Sequence, residues 1–226
     1  MRHGDVAYFG DSAQRLAPEE VVLTPAGLHQ AKEAGRALAK VRFDRIITSG
    51  LPRTLQTARL VVEGNDQPDG LVAETWPELQ ELRPGEASEI PEAELEESFL
   101  GAFHGMPAPT TAYLRGETVG SLMARVTAAM DRLFADRGWN TSLLVLHGGV
   151  NRAILSWALA GPGQLFAQFE QSPGCINVID GEPGGFVLRA VNMTPYEPVH
   201  DSPRTTTVEA ILDQYRAYRR AIQSAG

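Results

Sequence analysis

The sequence predicts an α/β fold, a three-layer sandwich with a mostly parallel central sheet and helices on both faces. Three observations predict it. Short runs of branched apolar residues alternate along the chain with longer segments of helical period. The run Thr141–Leu146 is continuously apolar, as in a strand buried on both faces. The length, 226 residues, suffices for one domain with a sizeable core and is short for two. A single domain over 1–226 is expected, with an inserted acidic, proline-rich excursion at about 84–117.

The elements follow in order. Thr24 before Pro25 supplies an N-cap and a proline at the first helical position. Leu28, Ala31, Ala34, Leu38 and Val41 then trace one face of that helix. Phe43–Thr48 reads as a short strand, and Pro52 as the start of a second helix. Glutamates crowd the chain from Glu74 to Glu97, with Pro84, Pro91 and Pro107 nearby. Acidic runs are usually solvated, so a partly helical excursion from the core is expected there. Val119, Leu122, Met123, Val126, Met130 and Leu133 mark a strongly amphipathic helix. The buried strand at Thr141–Leu146 comes next. Cys175–Ile179 and Phe186–Val191 are two further strands, joined through Gly181–Gly185 as a tight connection. Thr206 and Glu209 form a capping box, and Val208, Ile211, Leu212, Tyr215 and Ile222 continue it as a last amphipathic helix.

Composition narrows the class. The formal net charge of −8 and 43% hydrophobic content describe an ordinary globular protein and disfavour nucleic-acid or basic membrane-surface binding. Cys175 is the single cysteine, which excludes an intrachain disulfide and a multi-cysteine zinc site. No apolar run is long enough to span a bilayer and none resembles a signal region, so a cytoplasmic location is expected.

Ligands of such sheets bind beyond the carboxyl ends of the strands, and unusual residues gather there. Arg53 follows a strand end and falls in the first turn of a helix, where the dipole disfavours a cation unless an anion is bound. His147-Gly148-Gly149-Val150-Asn151-Arg152 begins where the buried strand ends, and its glycines let backbone approach a ligand. Trp76–Glu86 places carboxyls beside apolar groups, a setting in which one can serve as a general acid. Arg2-His3-Gly4 opens the chain.

Taken together, four ordered motifs resemble the histidine phosphatase superfamily, the phosphoglycerate-mutase-like group with the Arg-His-Gly signature. They are Arg2-His3-Gly4, Leu-Thr-Pro-x-Gly-x-x-Gln-Ala at Leu23–Ala31, Ser-x-Leu-x-Arg-Thr-x-Gln-Thr-Ala at Ser49–Ala58, and His-Gly-Gly-Val-x-Arg from His147. The resemblance covers about 1–155. It implies a phosphoglycerate-mutase-like fold and His3 as a nucleophile that becomes phosphorylated. It implies that Arg2, Arg53 and His147 hold the phosphoryl oxygens, with Gly4 and Gly148 as further phosphate contacts. Glu81, in Leu79-Gln80-Glu81, matches the proton donor, with Glu78 and Glu86 as competitors. The implied activity is hydrolysis of a small phosphomonoester by a metal-independent, histidine-type acid or neutral phosphatase with no cofactor. Neutral His3 attacks phosphorus, and Arg2 and Arg53 keep it neutral and match the phosphate oxygens.

Two departures bear on the site. An apolar strand usually precedes the signature, whereas Met1 alone precedes Arg2. Unpaired backbone groups beside a poorly fixed His3 are therefore expected, with lower stability than in a chain extended upstream. Asp5–Phe9 also replaces a segment that usually contacts phosphate. The alternatives are a phosphoglycerate-type mutase, a non-catalytic phosphate- or partner-binding module on the same fold, and a metal hydrolase using His3, His104, His147 and His200. The expected partner is a small phosphorylated substrate, with neither nucleic acid nor membrane; the oligomeric state is open, a homodimer included. Specificity is expected to reside in Ser88–Gly116. All of this requires Arg2, His3, Arg53 and His147 to meet in one pocket.

Overall fold

Branched residues at Arg45–Thr48 favour an extended chain, and their alternation divides them between two cores. This strand, β1, is central: it pairs in parallel with β2 (Ala73–Thr75) on one side and β3 (Ser142–Val145) on the other. Ile46 packs with Ala34, Ala58 and Val61, which lie on α1 (Pro25–Ala37) and α2 (Pro52–Val62). Ile47 points the other way, into the larger core with α4 (Val119–Ala135) and α5 (Gly148–Ala160). Helices therefore cover both faces, as the alternating pattern predicts. The computed structural model describes residues 1–10, 16–63, 67–68, 70–164, 166–182, 185–200 and 205–225.

Beyond β3 the sheet continues through the first residues of the chain. Arg2 bridges Leu146 in parallel, His3 N–H donates to Leu146 O, and Leu146 N–H donates to Met1 O. On the far side Arg2 N–H donates to Cys175 O and Gly174 N–H to His3 O. The segment at 1–3 is thus paired on both sides, and the expectation of unpaired backbone beside a loose His3 is corrected. The Met1 amino group sits in this buried seam, 2.7 Å from Leu144 O, and burial lowers its pKa to about 6.

The remaining elements follow the sequence closely. β4 (Ile176–Glu182) and β5 (Gly185–Met193) form the antiparallel pair; Pro183 and Gly184 of the expected connection lie outside the described residues. Thr24 caps α1 by accepting from Gly27 N–H at 3.1 Å, and Thr118 caps α4 by accepting from Ser121 N–H at 3.2 Å. Thr206 and Glu209 exchange bonds at the start of α6 (Thr207–Ala225), which completes the capping box.

The acidic stretch needs a more specific description than a solvated excursion. Its outer carboxylates, Glu92, Glu94 and Glu96, are exposed. Its inner side supplies Leu82, Ile90, Leu95, Phe99 and Leu100 to the main core. The helix α3 (Glu92–Leu100) is amphipathic, and its exposed glutamates mask the apolar spacing in a composition count. α6 packs on α3, with Arg216 near Glu92 and Glu96, and Arg219 donating to Ile90 O at 3.0 Å. Among the described residues no helix is long and apolar enough to cross a membrane.

Candidate active site

The loop carrying His3 is held by the first two motif helices. Thr24 Oγ1 donates to the Asp5 carboxylate at 2.7 Å, and Gln30 accepts from Asp5 N–H at 2.8 Å. Gln56 accepts from Leu23 N–H, which fastens α2 to the segment before α1. Gly4 packs face to face on Gly27: a Cβ on Gly4 would stand 2.5 Å from Gly27 O, a separation real side chains do not reach. The polar and glycine positions of the Leu23–Ala31 and Ser49–Ala58 motifs thus act as a cradle for residues 3–5.

Within that cradle His3 is 1% exposed. Its Nδ1 lies 2.7 Å from Gly4 O. A carbonyl only accepts, so Nδ1 carries the hydrogen and Nε2 keeps the lone pair. The His147 ring stands 5.2 Å away, edge to face at 70°. His147 Nε2 is 2.8 Å from Ser49 Oγ, and its Nδ1 is buried with no partner. Burial holds both imidazoles well below their usual pKa of 6.5. For His3 the charges of Arg2 and Arg53 act in the same direction, as second and third causes after burial.

Arg2 and Arg53 line a cavity, together with Glu81, Gly148 and Gly149. His3 and His147 do not line it; they are buried close enough to feel both guanidiniums. Arg53 lies in the first turn of α2, whose N-cap, Leu51, offers no side-chain bond. Its recorded bond is a long one, 3.3 Å to Pro18 O, and its Nε is buried without a partner. Arg2 donates to Gln171 O and, at 2.8 Å, to Thr207 Oγ1, and its Nε is also unpartnered. Buried polar atoms without partners are uncommon. Arg2 Nε, Arg53 Nε, His147 Nδ1 and Asn151 Nδ2 form one such set, drawn from the motif segments.

The three carboxyl candidates separate cleanly. Glu78 pairs with Arg132, and Glu86 is exposed. Glu81 alone of the three lines the cavity. It accepts from Gly149 N–H at 3.0 Å and from Leu82 N–H at 2.9 Å, so it caps α5. A Cβ on Gly149 would stand 2.6 Å from Glu81 Oε1, so glycine is what lets the carboxyl approach. The two glycines proposed as phosphate contacts also separate. Gly148 lines the cavity, whereas Gly4 N–H is taken by Thr57 Oγ1 at 3.1 Å. Gly4 does not line the cavity, and it packs on Gly27.

Several neighbours are residues that sequence reasoning did not single out. Ser49 orients His147, and Thr57 fixes Gly4; both lay inside a quoted motif. Arg125 had no such signal, being one polar position on an amphipathic helix. Its guanidinium donates to the carbonyls of Glu78, Gln80 and Glu81 and pairs with Glu117 at 2.7 Å. It gathers the backbone that presents Glu81. No group of three or more His, Cys, Asp or Glu among the described residues is placed to hold a metal ion, so His3, His104, His147 and His200 do not converge as the metal-hydrolase alternative required.

With this geometry in place, comparison with known proteins is decisive. Residues 1–194 match the histidine phosphatase superfamily (branch 1). The chain belongs to that superfamily. It is 30% identical over 172 residues to the adenosylcobalamin/alpha-ribazole phosphatase of Salmonella typhimurium, covering 75% of this chain and 83% of that protein. It is 29% identical over 169 residues to a probable phosphoglycerate mutase of Yersinia enterocolitica, covering 72% and 74%. The alpha-ribazole phosphatase structure from Shigella flexneri superposes with a TM-score of 0.67 at 24% identity, covering 85% of this chain and 94% of that one. This likeness establishes the phosphoglycerate-mutase-like fold of this histidine phosphatase.

Proposed function

We propose that this histidine phosphatase hydrolyses a small phosphomonoester through a phosphohistidine at His3. The observation that carries the reading is the 2.7 Å contact of His3 Nδ1 with Gly4 O, which requires hydrogen on Nδ1 and leaves Nε2 as a neutral nucleophile beside two guanidiniums. Nε2 attacks phosphorus in line with the ester oxygen, the N–P bond forms and the P–O bond breaks. Glu81 gives its proton to the departing alkoxide. Water then attacks the phosphohistidine, Glu81 takes a proton from that water, and inorganic phosphate leaves with His3 restored.

The other residues stabilise charge as it spreads over the phosphoryl oxygens. Arg53 has few protein partners to give up. Arg2 exchanges the neutral oxygens of Gln171 and Thr207 for anionic ones, which bind a guanidinium more strongly. With Ser49 donating to His147 Nε2, the unpartnered Nδ1–H is a donor for a third oxygen. Gly148, at the first turn of α5, adds backbone to the same end. The single buried thiol, Cys175, fits a reducing compartment, and we place the enzyme in the cytoplasm.

The test is hydrolysis of an aryl phosphate by the intact chain and by His3→Ala, with acid-free trapping of the phosphoenzyme. Turnover and a label on His3 are expected, both lost in the variant and both unaffected by chelator. Undiminished turnover in His3→Ala would remove the nucleophile from this scheme. Return of the phosphoryl group to 3-phosphoglycerate in place of water would make the enzyme a mutase.

A further inference from the structure

The phosphate end occupies a small part of the cavity. The whole space is about 520 Å³, within the range of pockets that bury a drug-sized molecule. Its walls differ in character from its floor. A run of aromatic rings surrounds it: Phe103 meets Tyr113 at 5.3 Å, Tyr113 meets Phe99 at 6.2 Å, and Phe99 meets Tyr215 at 5.4 Å between centroids. Tyr215 and Phe9 both contact Tyr218, so the run reaches from the acidic excursion across α6 to the segment after His3. Ile211, on the same helix, adds an aliphatic wall.

Among the described lining residues no lysine occurs, and the one histidine, His104, is exposed to solvent. Arg152 is the one arginine among the described lining residues besides Arg2 and Arg53. It donates to Ala167 O at 2.9 Å, to Phe103 O at 2.6 Å and to Gly105 O, and it stacks on Phe166 at 4.3 Å. Burial lowers its pKa to about 10. Its donors are occupied in holding the wall. Glu170, also in the lining, opposes a second anion. A substrate with another phosphate or a carboxylate would bring a charge against these aromatic walls, where the described residues offer no unoccupied guanidinium or ammonium, and that is costly.

We propose that the aromatic cavity beside Arg2 and Arg53 binds the alcohol part of the substrate, and that the substrate class is phosphomonoesters of bulky, uncharged, aromatic or apolar alcohols with no second acidic group. This deepens the phosphatase reading and rests on it for catalysis, though not for binding. Apolar and aromatic surface removed from water supplies the selectivity, and the single anionic head is aligned by the guanidiniums.

Two measurements separate the claims. The first is calorimetric binding to the intact chain of methylphosphonate, 2-naphthylmethylphosphonate and 3-carboxypropylphosphonate, none of which can be hydrolysed. The naphthyl compound is expected to bind on the order of ten- to a hundredfold more tightly than the methyl compound, and the carboxylated one no better than methyl. The second is turnover of ethyl phosphate, 2-phenylethyl phosphate and 3-phosphoglycerate, with phenylethyl expected to give the highest kcat/KM. Phe103→Asn and Ile211→Asn, on separate walls, should each lower the naphthyl-to-methyl affinity ratio; this ratio is insensitive to a fraction of unfolded protein. Equal phosphonate affinities, or preference for the carboxylated ligands, would overturn the substrate class even with a phosphohistidine in hand. Selective naphthyl binding without turnover of any ester would uphold the cavity's ligand class and overturn the catalytic reading instead.

Discussion

Arg53 shows at the scale of one residue how function and stability are opposed. Its guanidinium is buried in a helix turn that repels cations, it makes one long hydrogen bond, and burial lowers its pKa. In the proposed function such a group is kept for the phosphate it binds, and its removal relieves an unfavourable burial. Arg53→Ala is expected to lose about a hundredfold or more in kcat/KM while its melting temperature stays level or rises. Glu81→Gln tests the acid. It should slow alkyl esters more than aryl esters, since an aryl oxygen leaves with less need of a proton; equal losses would exclude Glu81 as the donor. The two buried imidazoles set a stability limit. Unfolded histidines titrate near 6.5 while the folded ones resist protonation, so the unfolded state gains protons first as pH falls. The histidine contribution is fully present above pH 6.5 and is lost as pH falls towards the folded values, each group adding up to about 1.4 kcal/mol per pH unit. Melts between pH 7.5 and 5 should decline, with a shallower decline in His147→Asn.

At the scale of elements, the site depends on joints between segments. α1 and α2 hold the His3 loop through Thr24, Gln30, Gln56 and Thr57, each bond linking side chain to backbone or to Asp5. α4 holds the Glu81 backbone through Arg125. Arg125 holds the backbone of Glu81, the proposed acid, and does not line the cavity. Arg125→Met is therefore expected to reduce alkyl-ester turnover more than aryl-ester turnover, following Glu81→Gln, while a phosphohistidine still forms from the aryl ester. A purely structural role would lower both rates alike. α6 meets the site at its start, where Thr207 bonds Arg2, and its aromatic face closes the cavity.

For the molecule as a whole, binding at the arginine floor should be coupled to folding. A ligand that binds only the folded state stabilises it by RT ln(1 + [L]/Kd), about 1.4 kcal/mol at ten times Kd. Inorganic phosphate is therefore expected to raise the melting temperature of the intact chain, and chloride at equal ionic strength is not. Arg53→Ala should abolish the difference. A phosphate shift that survives in that variant would place the anion elsewhere.

The sequence by itself determined the helices with explicit caps, the branched strands and the four motifs, because those signals are local. Thr24 and the pair Thr206 and Glu209 each specify a helix start over three or four residues, and the structure places a helix at each. Arg2, Arg53 and Glu81 were legible as a group through their motifs, and they share one cavity. What tertiary structure alone decided was pairing across long separations. It gave the edges of the Met1–His3 segment to Leu146 and Cys175, turned Gly4 N–H to Thr57, drew Glu78 to Arg132, and aligned Phe9, Phe99 and Tyr215 around one space. Those partners are tens to hundreds of positions apart, and no local period encodes their meeting; it follows from which faces the two cores bury.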